Sequence, residues 1–308
     1  MAYSTTAIDN NRASNSITLP AELSNEVWAK AVENSAIMQL AQRIDLPGRG
    51  VSIPVVTADA DAAWVAESTE KHVGNATFGL KTMTPYKLAV IELFSNEFRR
   101  DLPALYRELA RRLPASIGKK FDATVFNATS APGTGFDLLY QSPTQDISKD
   151  ANANTYQKMV NVISTLGAKG FDLDGFALSA QGRAFLLGAV DGQGRPLFVP
   201  SAEDGNIGNI LGARVVKAQQ AYKAGNASST GVAAVPDVLG FAGDWTQARW
   251  GMVDDISMAI SDEATINDGT NQINLWQRNM FAVRVEAELG FVCTDDDAFV
   301  QLVIPHSA

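Results

Sequence analysis

Very few residues in this chain have the chemistry of a catalytic or metal-binding centre. The 308 residues include two histidines, His72 and His306, and one cysteine, Cys293. A zinc site would need both histidines and acidic ligands from another region, and a nucleophilic pair would join Cys293 to one histidine. Cys293 continues an apolar alternation along its own segment, which predicts a buried packing thiol. We therefore expect no catalytic residue, no metal ligand and no cofactor.

Two acidic runs and one glycine pair are too incomplete to bind calcium or a nucleotide. Asp172-Leu173-Asp174-Gly175 and Asp295-Asp296-Asp297 lack the alternating ligands and the closing glutamate of a calcium loop. Gly192-Gln193-Gly194 lacks the third glycine of a dinucleotide fingerprint and the basic residue of a phosphate-binding loop. Clusters of Asp and Gly of this kind are typical of turns.

The overall charge argues against a protein that reads nucleic-acid sequence. The chain carries 34 acidic and 25 basic residues, a net charge of −9, whereas dedicated nucleic-acid binders are usually basic. Its apolar runs are too short for a transmembrane helix, and a single cysteine cannot form a disulfide within the chain. Residues 1–17 lack the apolar centre of a signal peptide, so we expect the protein to assemble in a cytoplasm.

The N-terminal part predicts an arm, a strand and a projecting ribbon. Residues 1–20 are too polar to form a core and predict an arm, and Leu19-Pro20 then opens a short helix. Residues 51–56 predict a strand in which Pro54 indicates an edge position. Residues 61–86 combine polar side chains with Thr, Val and Phe, which favour extended backbone. They predict a two-stranded ribbon that needs a surface to lie on.

A long amphipathic helix follows the ribbon. Asp101 predicts its cap, and Pro103 falls in its first turn, where proline is tolerated. Pro114 removes an interior hydrogen bond and predicts a kink or a break. The predicted helix ends near Phe126. Its apolar stripe consists of Leu105, Leu109, Leu113, Ile117 and Phe121.

The C-terminal half predicts a second domain and a long strand. Residues 131–154 are rich in turn-forming side chains and predict a domain boundary. Period-two alternation over residues 281–293 predicts a half-buried strand, and residues 298–304 predict a final one. The helix after the boundary has a predicted apolar face made of Tyr156, Met159, Val160, Ile163 and Leu166. Further strands are predicted at 176–178, 207–217 and 238–243.

A series of short motifs runs through the chain in a fixed order. In sequence they are Leu19-Pro20, Ile53-Pro54, Ala63-Trp64-Val65-Ala66-Glu67, Lys87-Leu88-Ala89, Ser95-Asn96-Glu97, Gly194-Arg195-Pro196-Leu197, Leu211-Gly212, Gly243-Asp244-Trp245 and Ala298-Phe299-Val300. Each motif is weak alone. Their order and spacing over nearly the whole chain resemble the major capsid proteins of tailed bacteriophages with the Hong Kong 97-type fold.

The resemblance implies an α+β fold with an N-terminal arm, an extended β-hairpin loop, a peripheral domain with a long spine helix, and a central α/β domain. The implied boundaries are 1–20 for the arm, 21–60 for the first part of the peripheral domain, 61–87 for the extended loop, 88–140 for the peripheral domain with the spine helix, 141–270 for the central domain, and 271–308 for the C-terminal strands of the peripheral domain.

The resemblance also implies a structural protein, not an enzyme. Pentamers and hexamers would close into an icosahedral shell around double-stranded DNA, as the capsid of a virion assembled in the host bacterial cytoplasm. Expected partners are other copies of the chain, a portal protein and, where the shell uses them, a separate scaffolding protein and a decoration or cementing protein. Packaged DNA would be contacted without sequence preference, and no membrane is expected. The alternative is an encapsulin-type nanocompartment shell that encloses cargo enzymes.

Two groups of residues are candidates for these contacts. Assembly contacts are expected at Trp64, Glu67, Glu70, Lys71, Lys81, Tyr86, Arg195 and Asp244. The Trp64 end and the Pro85-Tyr86 end of the ribbon are expected to act as hinges. Residues 97–122 carry seven basic and four acidic side chains, which indicates either a solvated helix face or a DNA-facing surface. The DNA-facing candidates are Arg107, Arg111, Arg112, Lys119 and Lys120.

Two departures from the family pattern carry expectations of their own. Many members have a long scaffolding region before the Leu-Pro motif, whereas 18 residues precede Leu19 here. Scaffolding is therefore expected to be a separate protein or unnecessary. A few members join a loop lysine to an asparagine on a neighbour. Lys71 and Lys81 lie in the loop region, but no matching Asn and catalytic Glu are identifiable, so no cross-link is expected.

Overall fold

The computed structural model describes residues 35–58, 60–96, 102–150, 154–191, 193–198, 208–227, 233–253, 257–267 and 272–306. The predicted arm, the predicted helix after Leu19-Pro20 and the predicted cap Asp101 lie outside these residues. The helices are α1 (Ala36–Leu40), α2 (Leu102–Asn127), α3 (Thr155–Gly167) and α4 (Ala180–Leu187). Helix and strand content together give the mixed α and β architecture that the sequence predicts.

The strands are short except for one. They are β1 (Gln42–Asp45), β2 (Val51–Ala58), β3 (Thr77–Met83), β4 (Tyr86–Ser95), β5 (Thr144–Asp146), β6 (Gly175–Leu178), β7 (Asn209–Ile210), β8 (Ala213–Lys217), β9 (Asp237–Gly243), β10 (Ala248–Met252), β11 (Ser257–Ser261), β12 (Thr265–Asn267), β13 (Gln272–Asn274), β14 (Met280–Cys293) and β15 (Phe299–Ile304).

The described chain divides into two compact units whose borders differ from the predicted domains. The smaller unit takes its described residues from 87–117 and 254–288, and the larger unit from 32–86, 118–253 and 289–308. The predicted border between 140 and 141 is not a unit border. The segment 271–308, predicted as one peripheral element, is split after residue 288 because β15 pairs with β9 and β5 in the larger unit.

A six-stranded sheet in the order β5-β15-β9-β6-β8-β7 forms the centre of the larger unit. Val300 and Leu302 of β15 pack into one hydrophobic core with Met159, Val162 and Leu166 of α3. Aromatic side chains form a second cluster, in which the ring of Trp245 lies 5.0 Å from Phe299 and 6.4 Å from Phe126 at the end of α2. The sheet is therefore packed between side chains of α3 and of α2.

The buried face of α3 is not the predicted one. Met159 and Leu166 are buried as expected, but Tyr156, Val160 and Ile163 are 44%, 38% and 39% exposed. Their place is taken by Val162 and by two polar side chains, Thr155 and Lys158. The ammonium of Lys158 is tolerated there because Asp146 and Asp150 lie 3.0 and 2.9 Å from its Nζ.

Helix α2 continues from Leu102 to Asn127, so the predicted break at Pro114 does not occur. Pro103 falls in its first turn, and its end lies one residue beyond the predicted Phe126. Near that end, the carboxylate of Asp122 accepts hydrogen bonds from Ser35 Oγ at 2.6 Å and from the backbone N–H of Ala36 at 2.8 Å. The opposite end of α1 is held by Arg214, whose Nη2 donates to Leu40 O at 3.1 Å.

The alternation predicted for β14 holds from Val283 to Leu289. Val283, Val285, Ala287 and Leu289 are buried, whereas Arg284 is exposed. From Leu289 onwards the strand is buried on both faces, contrary to the half-buried prediction. The reason is that Val292 packs against Leu46, Ile53 and Met83.

Candidate assembly surface

Strands β2 and β3 form a two-stranded antiparallel ribbon in the larger unit. Val51 pairs with Met83 at one end, and Ala58 pairs with Thr77 at the other. Within the described strands each of the two pairs only with the other. The ribbon thus begins at residue 51, ten residues before the predicted start at 61. Residues 60–76 form its connecting loop and not its first strand.

The base of the ribbon is fixed by a small apolar core. Met83 is fully buried and Ile53 is 7% exposed, and both pack against Leu46 and Val292. Next to them, the backbone N–H of Thr84 donates to Gly135 O at 2.9 Å. Gly135 has a φ of +79°, and an added Cβ would lie 2.6 Å from Thr84 Oγ1, so this contact requires glycine.

Polar contacts hold the same end. Lys81 Nζ lies 2.9 Å from Asp137 Oδ2 and 3.5 Å from Asp296 Oδ1. Burial by itself lowers the pKa of Lys81, but the hydrogen bond to Asp137 and the two negative charges outweigh it and raise the pKa above its ordinary value. Tyr86 Oη donates to Thr134 O at 2.8 Å, and its ring meets Phe136 edge-on at 6.2 Å.

The loop end of the ribbon is exposed. Trp64 is fully solvent-accessible at 105%, and Val73 is 85% exposed. Glu67, Glu70 and Lys71 are exposed in the same loop. The loop therefore presents a large aromatic side chain among both signs of charge, the composition of an interface anchor with a polar rim.

The predicted assembly residues fall into four places. Trp64, Glu67, Glu70 and Lys71 share the loop, and Lys81 and Tyr86 share the base. Trp64 thus lies at the loop end, away from the base at which a hinge was expected. Arg195 and Asp244 are not part of this surface.

Arg195 and Asp244 each belong to a turn. Arg195 is exposed in a turn closed by its backbone N–H, which donates to Asp191 Oδ1 at 2.8 Å, as the glycine at position 194 predicts. The side chain of Asp244 accepts from the N–H and the hydroxyl of Thr246, at 3.0 and 2.6 Å, and so caps a short 3₁₀ turn. Both residues have local structural roles.

The basic residues of α2 are partly described. Arg112, Lys119 and Lys120 are exposed. The side chains of Arg107 and Arg111 lie outside the described part of the chain. Exposure of three cations on one helix is compatible with both a solvated face and a phosphate-contacting one.

Sequence reasoning missed the residues that fasten the ribbon. Asp137 and Asp296 lie far from Lys81 in the sequence, and nothing local to either one indicates that pairing. Phe78 and Leu80, which are 72% and 76% exposed, fall within the predicted ribbon, for which the prediction specifies no exposed face. Their spacing of two was the available signal, because alternate residues of a strand point to the same side.

The residues first considered for chemistry do not form a centre. Cys293 is 1% exposed, and burial, with the nearby charge of Asp296, raises its pKa to about 12. His72 lies in the exposed loop, and His306 Nδ1 contacts Asp237 Oδ1 at 2.7 Å. Over the described residues, no group of three or more His, Cys, Asp or Glu side chains could hold a metal ion. None of the helices described is long and apolar enough to cross a membrane.

Comparison with known proteins identifies the class to which this architecture belongs. The model of the phage capsid family matches residues 15–304. The chain belongs to the phage capsid family. The probable major capsid protein gp17 of Mycobacterium phage L5 is 32% identical to it over 298 residues, which cover 92% of this chain and 88% of the relative.

Solved structures share the fold of this capsid chain. A chain of Gordonia phage Cozz has a TM-score of 0.69 at 22% identity, with 100% of both chains covered. The capsid of an empty GTA particle computed with C5 symmetry has a TM-score of 0.64 at 14% identity, covering 88% of this chain and 90% of the other.

These relationships confirm the function predicted from the motif series. The chain is a major capsid protein of a tailed phage and a part of the virion. Because the family is structural, the prediction that the chain is not an enzyme is confirmed as well. Capsid proteins assemble into shells, so the chain associates with itself. The encapsulin alternative is not favoured.

Proposed function

We propose that this capsid chain has the Hong Kong 97-type arrangement and closes, as pentamers and hexamers, into an icosahedral shell around double-stranded DNA. Helix α2 would be the spine helix, residues 1–20 the arm, and the ribbon of β2 and β3 with its loop the extended loop. The observation that carries the proposal is the ribbon itself. It is anchored at its base by Met83 and Lys81, and it presents exposed Trp64 and Leu80.

A two-stranded ribbon of this kind is marginal in water when nothing covers it. A second copy of the chain is the partner that a shell supplies at high local concentration. We therefore place the ribbon across a neighbouring subunit. The many contacts of one subunit with several neighbours would then resist internal pressure even where each contact is weak.

The other proposed partners follow from the same arrangement. A portal protein and, where needed, a separate scaffolding or decoration protein would join the shell during assembly in the host bacterial cytoplasm. Exposed Arg112, Lys119 and Lys120 would meet the DNA through its phosphates, without sequence preference. Covalent cross-linking is not part of the proposal, because no matching Asn and catalytic Glu are identifiable for either loop lysine and the ammonium of Lys81 is held by Asp137 and Asp296.

The test shortens the loop without touching the strands. Residues 61–75 are replaced by Asn-Gly, a turn that suits a two-stranded hairpin and leaves β2, β3 and Lys81 in place. Light scattering and negative-stain electron microscopy then compare the variant with the unaltered chain, each alone and with the neighbouring phage genes co-expressed. We expect folded subunits or capsomers that fail to close.

The loop-shortened variant must be shown to be folded and must be compared with a variant of unchanged loop length. Cooperative urea unfolding of the unassembled variant establishes that its body is folded. His72→Gln, which replaces one exposed loop side chain outside the expected assembly contacts and keeps the loop length, is the matched control and is expected to form normal shells. Normal closed shells from the shortened variant would refute the role of the loop.

A further inference from the structure

We propose that the ribbon docks on a second copy of this chain through only one of its two faces, an uncharged one, and that the matching surface of that copy is apolar. The inference rests on the proposed function and deepens it. We call this face the outer face. It consists of Ser52, Pro54, Phe78, Leu80 and Thr82.

The register of the ribbon defines the two faces. Directly opposed residues of an antiparallel pair place their side chains on the same side. Pro54 is opposite Leu80, and Ser52 is opposite Thr82, so these four share a side. Phe78 is two residues before Leu80 and joins them. All five are exposed.

The base half of the other face is already occupied within the same subunit. Ile53 is opposite Lys81, and Val51 is opposite Met83. Met83 and Ile53 lie in the apolar core with Leu46 and Val292, and Lys81 is held by two carboxylates. The ribbon cannot turn this inner face to a partner without breaking those contacts at its base. Docking is therefore restricted to the outer face.

The chemistry of the outer face determines what fits it. It has no charged side chain, and its two large members, Phe78 and Leu80, are 72% and 76% exposed. Adjacent large apolar side chains left in water indicate a contact surface. The best-matched counterface is an apolar one, because burying an unpaired charge against Phe78 or Leu80 would cost free energy.

Contact through the side chains of this face is favoured over strand addition at the β2 edge. Pro54 lacks the backbone N–H that an added strand would need, and proline in an edge strand is a common block to such pairing. A second copy is the occupant because members of the family assemble into shells, in which the neighbours of a subunit are other copies of the chain.

The experiment uses single-residue variants, each of which introduces one negative charge on either the outer or the inner face. Phe78→Asp and Leu80→Asp alter the outer face. Thr77→Asp is the matched control, because Thr77 is exposed, precedes Phe78 directly in the sequence and lies on the inner face. The readout is the protein concentration that gives half-maximal assembly, from light scattering, with electron microscopy of the products. If the unaltered chain needs a scaffold, the same measurement is made with the scaffold present.

We expect each outer-face variant to need at least about tenfold more protein, since one large apolar side chain removed from a contact weakens association by about that factor or more. Thr77→Asp is expected to stay within about twofold of the unaltered chain. Leu80→Met, which keeps the apolar volume, is expected to assemble normally. Urea unfolding of the unassembled variants confirms that their bodies are intact.

Two results would overturn the inference. One is assembly of Phe78→Asp and Leu80→Asp at the concentration of the unaltered chain. The other is a loss with Thr77→Asp as large as theirs. If the loop-shortened variant fails to form closed shells while the outer-face variants form them, the proposed function is supported and docking through the outer face is refuted. If the loop-shortened variant and the outer-face variants all form closed shells, both the proposed role of the loop and docking through the outer face are refuted.

Discussion

The buried carboxyl of Asp122 predicts a specific pH dependence of subunit stability. Asp122 is 2% exposed, and among the described residues no basic side chain forms an ion pair with it. The charged groups nearest along its own helix, Lys119 and Lys120, are exposed, and Arg214 is bound at the far end of α1. Burial therefore raises its pKa from 3.8 to about 6, although hydrogen bonds from Ser35, Ala36 and Ile37 oppose the rise.

The direction in which stability changes with pH depends on whether the folded or the unfolded state binds the proton more tightly. Because the folded pKa is the higher one, the folded subunit keeps this proton between about pH 4 and pH 6, where the unfolded chain has lost it. The stabilisation is fully present below about pH 4 and is lost as the pH rises through about 6. A pKa difference of about two corresponds to about 3 kcal/mol in the free energy of unfolding.

The assay compares the unaltered subunit with Asp122→Asn, which is neutral at every pH. Urea unfolding of the unassembled subunits is measured between about pH 4 and pH 7.5, and the stability of the unaltered subunit minus that of the variant should fall by about 3 kcal/mol over that range. Asp174, Asp146 and Asp237 also have shifted pKa values, but they are common to both proteins and cancel in the difference.

The control replaces an exposed carboxyl. Asp172→Asn removes a negative charge from an exposed residue, so its stability difference from the unaltered subunit should vary little with pH. A carbon-13 NMR titration of the Asp122 carboxyl measures the folded pKa directly. If the stability of the unaltered subunit minus that of Asp122→Asn stays constant or rises with pH, the argument that burial dominates at this site is refuted.

Two further measurements test the ribbon base and the cysteine. Met83→Ala should lower the free energy of unfolding of the unassembled subunit by about 2 to 5 kcal/mol, because it empties a fully buried site, whereas Leu80→Ala on the exposed face should change it by less than about 0.5 kcal/mol. Equal losses would contradict the assignment of the two faces. Cys293 should react with an aromatic disulfide reagent at about pH 8 only after urea unfolding, because its thiol is buried with a pKa of about 12. Prompt labelling of the folded subunit would show that the thiol is accessible.

Several elements could be read from the sequence because their signals are local. The alternation of β14 places Cys293 on the buried side, and the structure confirms its burial. Ser179, a typical cap residue, stands directly before α4, and its Oγ accepts from the N–H of Gly182 at 3.0 Å. Helix α2 ends within one residue of the predicted position. Caps and periodicities are set by neighbours in the chain, so they survive folding largely unchanged.

Other features required the tertiary structure. The ribbon starts at Val51 because β2 pairs with β3, and no local signal separates that strand from the body. The buried face of α3 differs from the predicted one, and it includes Lys158 because the ammonium of this residue pairs with Asp146 and Asp150, which lie near it only in the folded chain. Position 122 sits four residues before Phe126, on the buried side of α2, yet polarity alone predicts exposure for an aspartate.

The sequence by itself determined the class of protein, through the order and spacing of weak motifs, and it determined the period of each main element. It could not determine which side of the ribbon is free. That choice depends on Leu46 and Val292 meeting Ile53 and Met83, and on Asp137 and Asp296 meeting Lys81. Side-chain pattern gives two equivalent faces to an isolated ribbon, and only long-range packing and charge pairing make one of them the inside.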